Sequence, residues 1–355
     1  MSTVHVVVPD GIDDPSRPSG GNTYDRHVCR GLSALGWSVH EHAVPGSWPR
    51  PDAASLVGLA RVVRSIPDDA VVLLDGLVAS TAPDVLVPHA RRLHLVMLVH
   101  MPLGHRAGGN GLADARTREG AVLCAAAAVV TTSMWTRRRL RELYTMPAER
   151  VYVAEPGVDR AELAPGTAAG GALLCVAPVT FDKGHDLLLS ALATIEDLSW
   201  RCACVGSVDR DPAFMESLRS RLLDGALGDR VRFSGPRAGA DLDREYASAD
   251  LMVLASRAET YGMVFTEALA RGLPVVAADV GGVTEAVGCD ADGIRPGLLI
   301  PPDDPTALSA ALRAWLGDAE LRARLRRAAR VRRQSLAGWS TTASLIAGVL
   351  ARATR

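Results

Sequence analysis

The chain has 355 residues, 48% hydrophobic and 22% charged, which excludes a disordered protein and at this length implies two cores rather than one. It carries 39 basic against 40 acidic residues, a net charge of −1, and only 4% aromatics, so neither a general field for nucleic acid nor stacking platforms for single strands are expected. Six cysteines without paired zinc spacing, two of them (Cys202 and Cys204) one residue apart in an apolar run, read as reduced core thiols of a cytoplasmic protein rather than as a disulfide framework.

Met1 to Pro9 enters directly into a strand-like run, with no basic segment ahead of a long apolar one, so no signal peptide is expected. No stretch approaches the ~20 apolar residues of a membrane span. Val4–Val8, Val71–Leu74, Leu93–Val99 and Ala126–Val130 read as buried strands. Between them, Asn22–Leu35 carries Tyr24, Val28, Leu32 and Leu35 on one helical face and stops at Gly36, and Ser133–Tyr144 starts on a capping serine. The small, aperiodic run Pro165–Gly171 reads as a linker.

After it the plan repeats. Strands are expected at Leu173–Val176, Arg201–Val205, Val231–Phe233, Leu251–Leu254, Val275–Ala277 and Gly297–Ile300. Helices are expected at Gly184–Ile195, Pro212–Gly225, Ala240–Ala247, Gly262–Ala270 and Pro305–Leu316, then an Arg-rich helix at Glu320–Arg333 and an apolar-faced one at Ser340–Ala351. Strand–helix alternation of this kind specifies α/β domains with doubly wound parallel sheets, here two Rossmann-like domains, 1–165 and 171–336. The helix within 337–355 is expected to pack back on the first. Ligands of such sheets bind beyond the carboxyl ends of the strands.

Chemistry concentrates there. Gly262 opens a helix after the strand Leu251–Leu254, and the free N–H groups at that start, Met263 included, suit a diphosphate. Glu259 lies in the loop before this helix and Glu267 inside it, where a carboxylate can accept hydrogen bonds from vicinal hydroxyls such as those of a ribose. His100 ends the strand Leu93–Val99. Ser19-Gly20-Gly21-Asn22 separates the first strand from the first helix and lets backbone approach a ligand, without the Gly-x-Gly-x-x-Gly spacing of a dinucleotide site. Asp209-Arg210-Asp211 precedes Pro212 and a helix start, so it reads as capping rather than as a metal site. No bound metal is expected. Trp135 with Arg137, Arg138, Arg139 and Arg141 reads as a solvated helix face in preference to a membrane-contacting one.

Ala258 to Pro274, with glutamates at 259 and 267 and then a strand, resembles the signature of family 4 retaining glycosyltransferases of the GT-B fold. So, in order, do Pro18–Asn22, Phe181–Leu189, Val231–Gly235, Ala249-Asp250 and Gly281-Gly282. The resemblance implies two domains facing an interdomain cleft, Glu259 on the donor sugar, Glu267 on the nucleotide ribose, Lys183 on the diphosphate and Gly21 near the donor phosphate. It also implies a functional role for His100 near the sugar, and acceptor contacts that include Asn22 and Arg106. It departs from the family at Pro178, where an arginine is usual; Arg237 and Arg257 are candidate substitutes. The implied activity is transfer of a hexosyl group from a UDP- or GDP-sugar co-substrate, with retention and without a further cofactor, to a hydroxyl on a small-molecule, glycan or lipid-linked acceptor. A nucleotide-sugar epimerase and a non-catalytic sugar-nucleotide-binding subunit are the alternatives.

Overall fold

Val71–Asp75 is buried at every position, as a strand covered by helices on both faces of a sheet must be. The computed structural model describes residues 2–14, 16, 18–105, 111–223 and 227–354. It divides into two compact units: one formed by the amino-terminal stretch to Asp14, Ser19–Gly157 and the carboxyl-terminal stretch from Ala337, the other by Val158–Leu336.

In chain order the first unit contains β1 (Thr3–Pro9), α1 (Gly20–Ala34), β2 (Ser38–Val44), α2 (Ala53–Ser65), β3 (Val71–Asp75), the short helices α3 (Gly76–Ala79) and α4 (Pro83–Leu86), β4 (His94–Val99), α5 (Leu112–Ala125), β5 (Ala128–Thr131), α6 (Met134–Tyr144) and β6 (Val151–Val153). The second contains β7 (Ala172–Val176), α7 (His185–Ala193), β8 (Arg201–Val205), α8 (Pro212–Leu223), β9 (Val231–Phe233), α9 (Gly239–Ala247), β10 (Leu251–Leu254), α10 (Met263–Ala270), β11 (Val275–Ala278), α11 (Val283–Val287), β12 (Gly297–Ile300), α12 (Pro305–Gly317) and α13 (Ala319–Arg332). The last helix, α14 (Trp339–Ala353), returns to the first unit.

Each unit has one six-stranded sheet. The orders are β2-β1-β3-β4-β5-β6 and β12-β11-β10-β7-β8-β9, and every pairing is parallel. In both, the strand order reverses once: the chain moves outward from β1 to β2 and then restarts beside β1 with β3, and it moves outward from β7 through β9 and restarts beside β7 with β10. At such a switch point neighbouring connections leave toward opposite faces, and the carboxyl ends between them stay uncovered.

The first sheet's faces carry separate cores. Val7, Leu59 of α2 and Leu123 of α5 lie on one; Val6, Val28 of α1 and Ile346 of α14 lie on the other. The last helix seats tightly: a Cβ at Gly31 of α1 would stand 2.4 Å from the Cβ of Ala343, Thr342 Oγ1 donates to the Glu155 carbonyl at 2.7 Å, and Trp339 stacks on His27 with centroids 4.1 Å apart.

The second unit has a single core running through its sheet, with Trp315 and Tyr246 fully buried. The unit changes at Gly157, ahead of the small-residue run 165–171, which is not a free tether. The buried Asp250 carboxylate accepts from Thr167 N and Oγ1, from Ala172 N at 2.9 Å and from Arg326 at 2.8 Å, and so ties the run and α13 to the sheet.

Because α1 and α14 meet at a position with no room for a methyl group, Gly31→Leu should destabilise the protein by about 1–3 kcal/mol through overpacking. Urea unfolding checks this against Arg30→Ala, an exposed change on the same helix that should move the midpoint little.

Candidate functional site

The strand-order reversal in the second unit sits between β7 and β10, and the loops after those two strands bring the donor-type residues together. After β7 the chain makes a single helical turn, Phe181–Lys183, then a left-handed Gly184 (φ 66°) that starts α7. After β10 it reaches Glu259 and then Gly262, which is also left-handed (φ 93°, ψ 63°) and caps α10 rather than forming its first residue. Lys183 Nζ lies 2.6 Å from Glu259 Oε2, an ion pair spanning the two loops, and Ser256 Oγ reaches the same oxygen at 3.4 Å. A Cβ on Gly262 would lie 3.3 Å from Glu259 Cγ, so the carboxylate stem runs beside the start of α10. The first N–H groups of that helix, at Met263 and Val264, have no carbonyl a turn earlier to bond. A lysine, a carboxylate and a helix start therefore share one switch point.

Glycine fixes this loop. A Cβ at Gly281 (φ 59°) would stand 1.6 Å from the Glu259 carbonyl oxygen, which itself accepts from Gly282 N at 3.1 Å. Only a residue without a side chain lets the loop after β11 pass under Glu259.

Glu267 is half-buried one turn further along α10. Its Oε2 accepts from Tyr246 Oη at 2.8 Å, and the Arg271 guanidinium lies 4.4 Å over the Tyr246 ring. Burial raises the Glu267 carboxyl above its ordinary range, with Asp159 and Asp243 adding to the rise, against the lowering effects of the Tyr246 hydrogen bond and Arg271. Tyr246 and Arg271 escaped the sequence reading. Tyr246 belongs to α9, 21 residues away, and no local pattern links it to Glu267.

Arg257 does not replace the arginine missing at 178. Its Nη atoms hold Asp186 at 2.9 and 2.8 Å and the Phe181 carbonyl at 2.7 Å, its Nε holds Asp303 at 2.6 Å, and its guanidinium lies 3.9 Å over the Phe181 ring. Four of its five N–H groups are used inside the scaffold, where it braces the turn that presents Lys183. Arg237 is exposed in the loop after β9.

In the first unit the reversal lies between β1 and β3, and His100, just past β4, stands close by. His100 Nε2 is 2.8 Å from Asp25 Oδ1 of α1 and 3.8 Å from Asp75 Oδ2 at the end of β3. A Cβ at Gly21 would touch the His100 ring at 3.2 Å. Burial pulls the imidazole pKa down, but the Asp25 charge, its hydrogen bond and Asp75 outweigh that and leave it raised. Asp75 is pushed up to about 7 by burial and by Asp25, against His100 and the N–H groups of Leu77 and Val78. Asn22 turns its side chain to the Gly11 carbonyl at 3.5 Å, and Arg106 lies outside the described residues.

Among the described residues, two groups bring three ligating atoms within 4.8 Å of one another: Asp25, Asp75 and His100, and the buried Cys175, His185 and Cys204. Neither includes Asp209 or Asp211. None of the six cysteines forms a disulfide, and no described helix is long and apolar enough to cross a membrane.

Residues 170–332 match the family model "Glycosyl transferases group 1". The chain is similar to the D-inositol 3-phosphate glycosyltransferases of Jonesia denitrificans (32% identical over 246 residues, 64% of this chain and 57% of that protein) and Kineococcus radiotolerans (35% over 255 residues, 65% and 58%). It thus spans under three fifths of the length of these curated relatives. Among solved structures it resembles sucrose-phosphate synthase from Thermosynechococcus elongatus (TM-score 0.81, 21% identity, 99% of both chains). It also resembles HepE of Anabaena solved in complex with UDP-glucose (TM-score 0.78, 18% identity, 99% of this chain and 100% of that one). The two parallel six-stranded sheets with flanking helices are the GT-B fold that the motifs implied.

The raised Glu267 pKa fixes the sign of one expectation. A carboxyl raised in the fold favours folding below its unfolded value of 4.5, and that contribution is lost as pH rises through the folded value. Glu267→Gln should therefore stabilise the ligand-free protein at pH 8, by up to about 1 kcal/mol, with the gain vanishing below pH 4.5. Urea midpoints across pH test this; a variant less stable than the parent at pH 8 contradicts it.

Proposed function

We propose, from the membership of residues 170–332 in the group 1 glycosyl transferases, that the chain transfers a hexosyl group from a nucleoside diphosphate sugar to a hydroxyl acceptor. The observation that carries the reading is the Lys183–Glu259 pair beside the start of α10. A diphosphate placed there meets a cation and unpaired N–H groups. By taking over Lys183 it releases Glu259 toward the sugar. Leaving-group charge grows as the glycosidic bond breaks, and Lys183 with the helix start would stabilise it more in the transition state than in the ground state.

Glu267, held by Tyr246, presents a carboxylate suited to the two ribose hydroxyls. A uridine or guanosine base is our reading of the donor; the HepE complex with UDP-glucose supports the first. The second unit would hold the donor and the first the acceptor. The curated relatives act on an inositol phosphate, which favours a small polyol or its phosphate over a polymer. Retention, independence of divalent metal and a cytoplasmic site of action belong to the same reading. The first two rest on the family signature and on the lack of an acidic or histidine ligand set on the Glu259 loop.

Nucleoside diphosphates and their sugars should raise the melting temperature in a concentration-dependent way. EDTA should leave turnover intact; loss restored by magnesium or manganese contradicts the metal-free reading. The two glutamates should fail differently. Glu267→Gln removes binding common to ground and transition states and should raise the donor KM by about ten- to a hundred-fold. Glu259→Gln should lower kcat by a similar factor, while UDP or GDP alone binds no more weakly, because Lys183 is then free for the diphosphate. Wild-type kcat and KM in both variants, with circular dichroism unchanged, would remove these residues from the active site.

A further inference from the structure

The core of the second unit holds a set of soft donors that the transfer chemistry leaves unused: Cys175 on β7, Cys204 on β8 and His185, the first residue of α7, all buried. We propose that these three side chains bind a zinc ion, a structural site that pins the turn carrying Lys183 to the sheet.

The fold builds the set from three elements. β7 and β8 are parallel neighbours with Cys175 and Cys204 in register, so both thiols stand on the same face of the sheet. Gly184, left-handed and packed against the Ala255 carbonyl, delivers His185 to that face. One ligating atom from each of the three side chains lies within 4.8 Å of the other two. Cys175 Sγ is 3.7 Å from His185 Nε2. A tetrahedral zinc, with Zn–S of about 2.3 Å and Zn–N of about 2.0–2.1 Å, holds a sulfur and a nitrogen ligand roughly 3.6 Å apart. This pair therefore already stands at the separation that a shared ion sets. The ligands come from two strands and a helix start, so no paired spacing in the sequence marks them.

The donors select the ion. Two sulfurs and an imidazole nitrogen, with no carboxylate in the set, favour a thiophilic metal over magnesium, calcium or manganese. A buried site must also be close to neutral. Two thiolates and a neutral imidazole around Zn(II) sum to zero, whereas Cu(I) would leave a negative charge in the core. Cys202, two residues before Cys204 on the same face of β8, lies against the Cys204 thiol and is at hand for the fourth position.

His185 is poorly served without an ion. Its Nδ1 is buried with no partner among the described residues, and its Nε2 has a thiol, a weak one. A coordinate bond at Nε2 replaces that weak contact. Cys175 and His185 also flank the turn Phe181–Lys183, so an ion joining them closes the segment that presents Lys183. Its binding free energy is then folding free energy. No step of sugar transfer passes through it.

The test uses the full chain, purified in reducing buffer without chelator, which should carry about one zinc ion per chain by elemental analysis. X-ray absorption at the zinc edge should show sulfur at about 2.3 Å together with nitrogen at about 2.0 Å. The chain refolded without metal should bind cobalt(II) with the thiolate charge-transfer bands of a tetrahedral site. Zinc, but not magnesium, should raise its melting temperature in a concentration-dependent way. Cys175→Ala and Cys204→Ala should each lose the ion and the bands. Cys124→Ser with Cys289→Ser, which removes the exposed thiols, should keep both. Where a core variant fails to fold, the zinc edge of the wild type decides alone. A chain that carries no zinc and gives no thiolate bands with cobalt overturns the inference. So does a zinc shell of nitrogen and oxygen only, such as the His5–His42 pair on the first sheet would give. Zinc retained by folded Cys204→Ala, or a Cys175–Cys204 disulfide in the purified chain, overturns it as well.

Discussion

The single reversal of strand order in each sheet is the constraint on which the chemistry depends. Between β7 and β10 the connections part toward opposite faces, and the loops that follow are free to meet above the strand ends. They meet backbone to backbone. A Cβ on Gly184 would come within 2.0 Å of the Ala255 carbonyl, and one on Gly281 within 1.6 Å of the Glu259 carbonyl. The loop that carries Glu259 is thus approached near its start and at Glu259 itself by residues that have no side chain. This is why the resemblance to known transferases is carried as much by glycines as by carboxylates: the approach of three loops decides whether the charged groups reach one another.

Charge is scarce at that switch point. Pro178 occupies the place of a usual arginine, and Arg257 is committed to Asp186, Asp303 and Phe181. Lys183 is left with Glu259 as its partner in the ligand-free chain. Two charges at 2.6 Å, each partly exposed, largely cancel, so the site presents little net field until a ligand divides them. In the proposed reaction the diphosphate does so, and the carboxylate becomes available when the sugar arrives with it.

The second unit was legible in the sequence almost strand by strand, because its strands are short continuous apolar runs between glycine and proline. The first was less so. β2 reads Ser-Val-His-Glu-His-Ala-Val and lies at the sheet edge, where one side is open, so no apolar run marks it. In α2 Leu56, Leu59, Val62 and Val63 do recur at helical spacing and pack on the core, a period the sequence reading passed over. The apolar stretch 121–131 hides a boundary, with α5 ending at Ala125 and β5 beginning at Ala128. Among site residues, Glu259, Lys183 and His100 stood out because each lies in a loop or turn after a strand, and Glu267 because it follows Glu259 into the next helix. Asp25 did not. It sits beside Tyr24 on an amphipathic helix with no local signal of its own, and it is the fold that buries it. Asp75 lay one residue past the expected end of its strand. Contacts made across a sheet leave no trace in local spacing.

Two buried aspartates show how such groups can be told apart once placed. Asp250 accepts from two backbone N–H groups, a hydroxyl and a guanidinium, and every one of those bonds ties a piece of chain to the second core. Its burial is compensated, and its work is structural. Asp25 is as deeply buried but has one partner, an imidazole, and an oxygen with none. A buried acceptor left unpaired costs about 1–3 kcal/mol, which an apolar residue on the same helix face would not incur. Protein folds tolerate such local inconsistency mainly where a function opposes stability. The cost falls on the side chain that holds His100 Nε2, beside an Asp75 carboxyl that burial and the Asp25 charge push up to about 7.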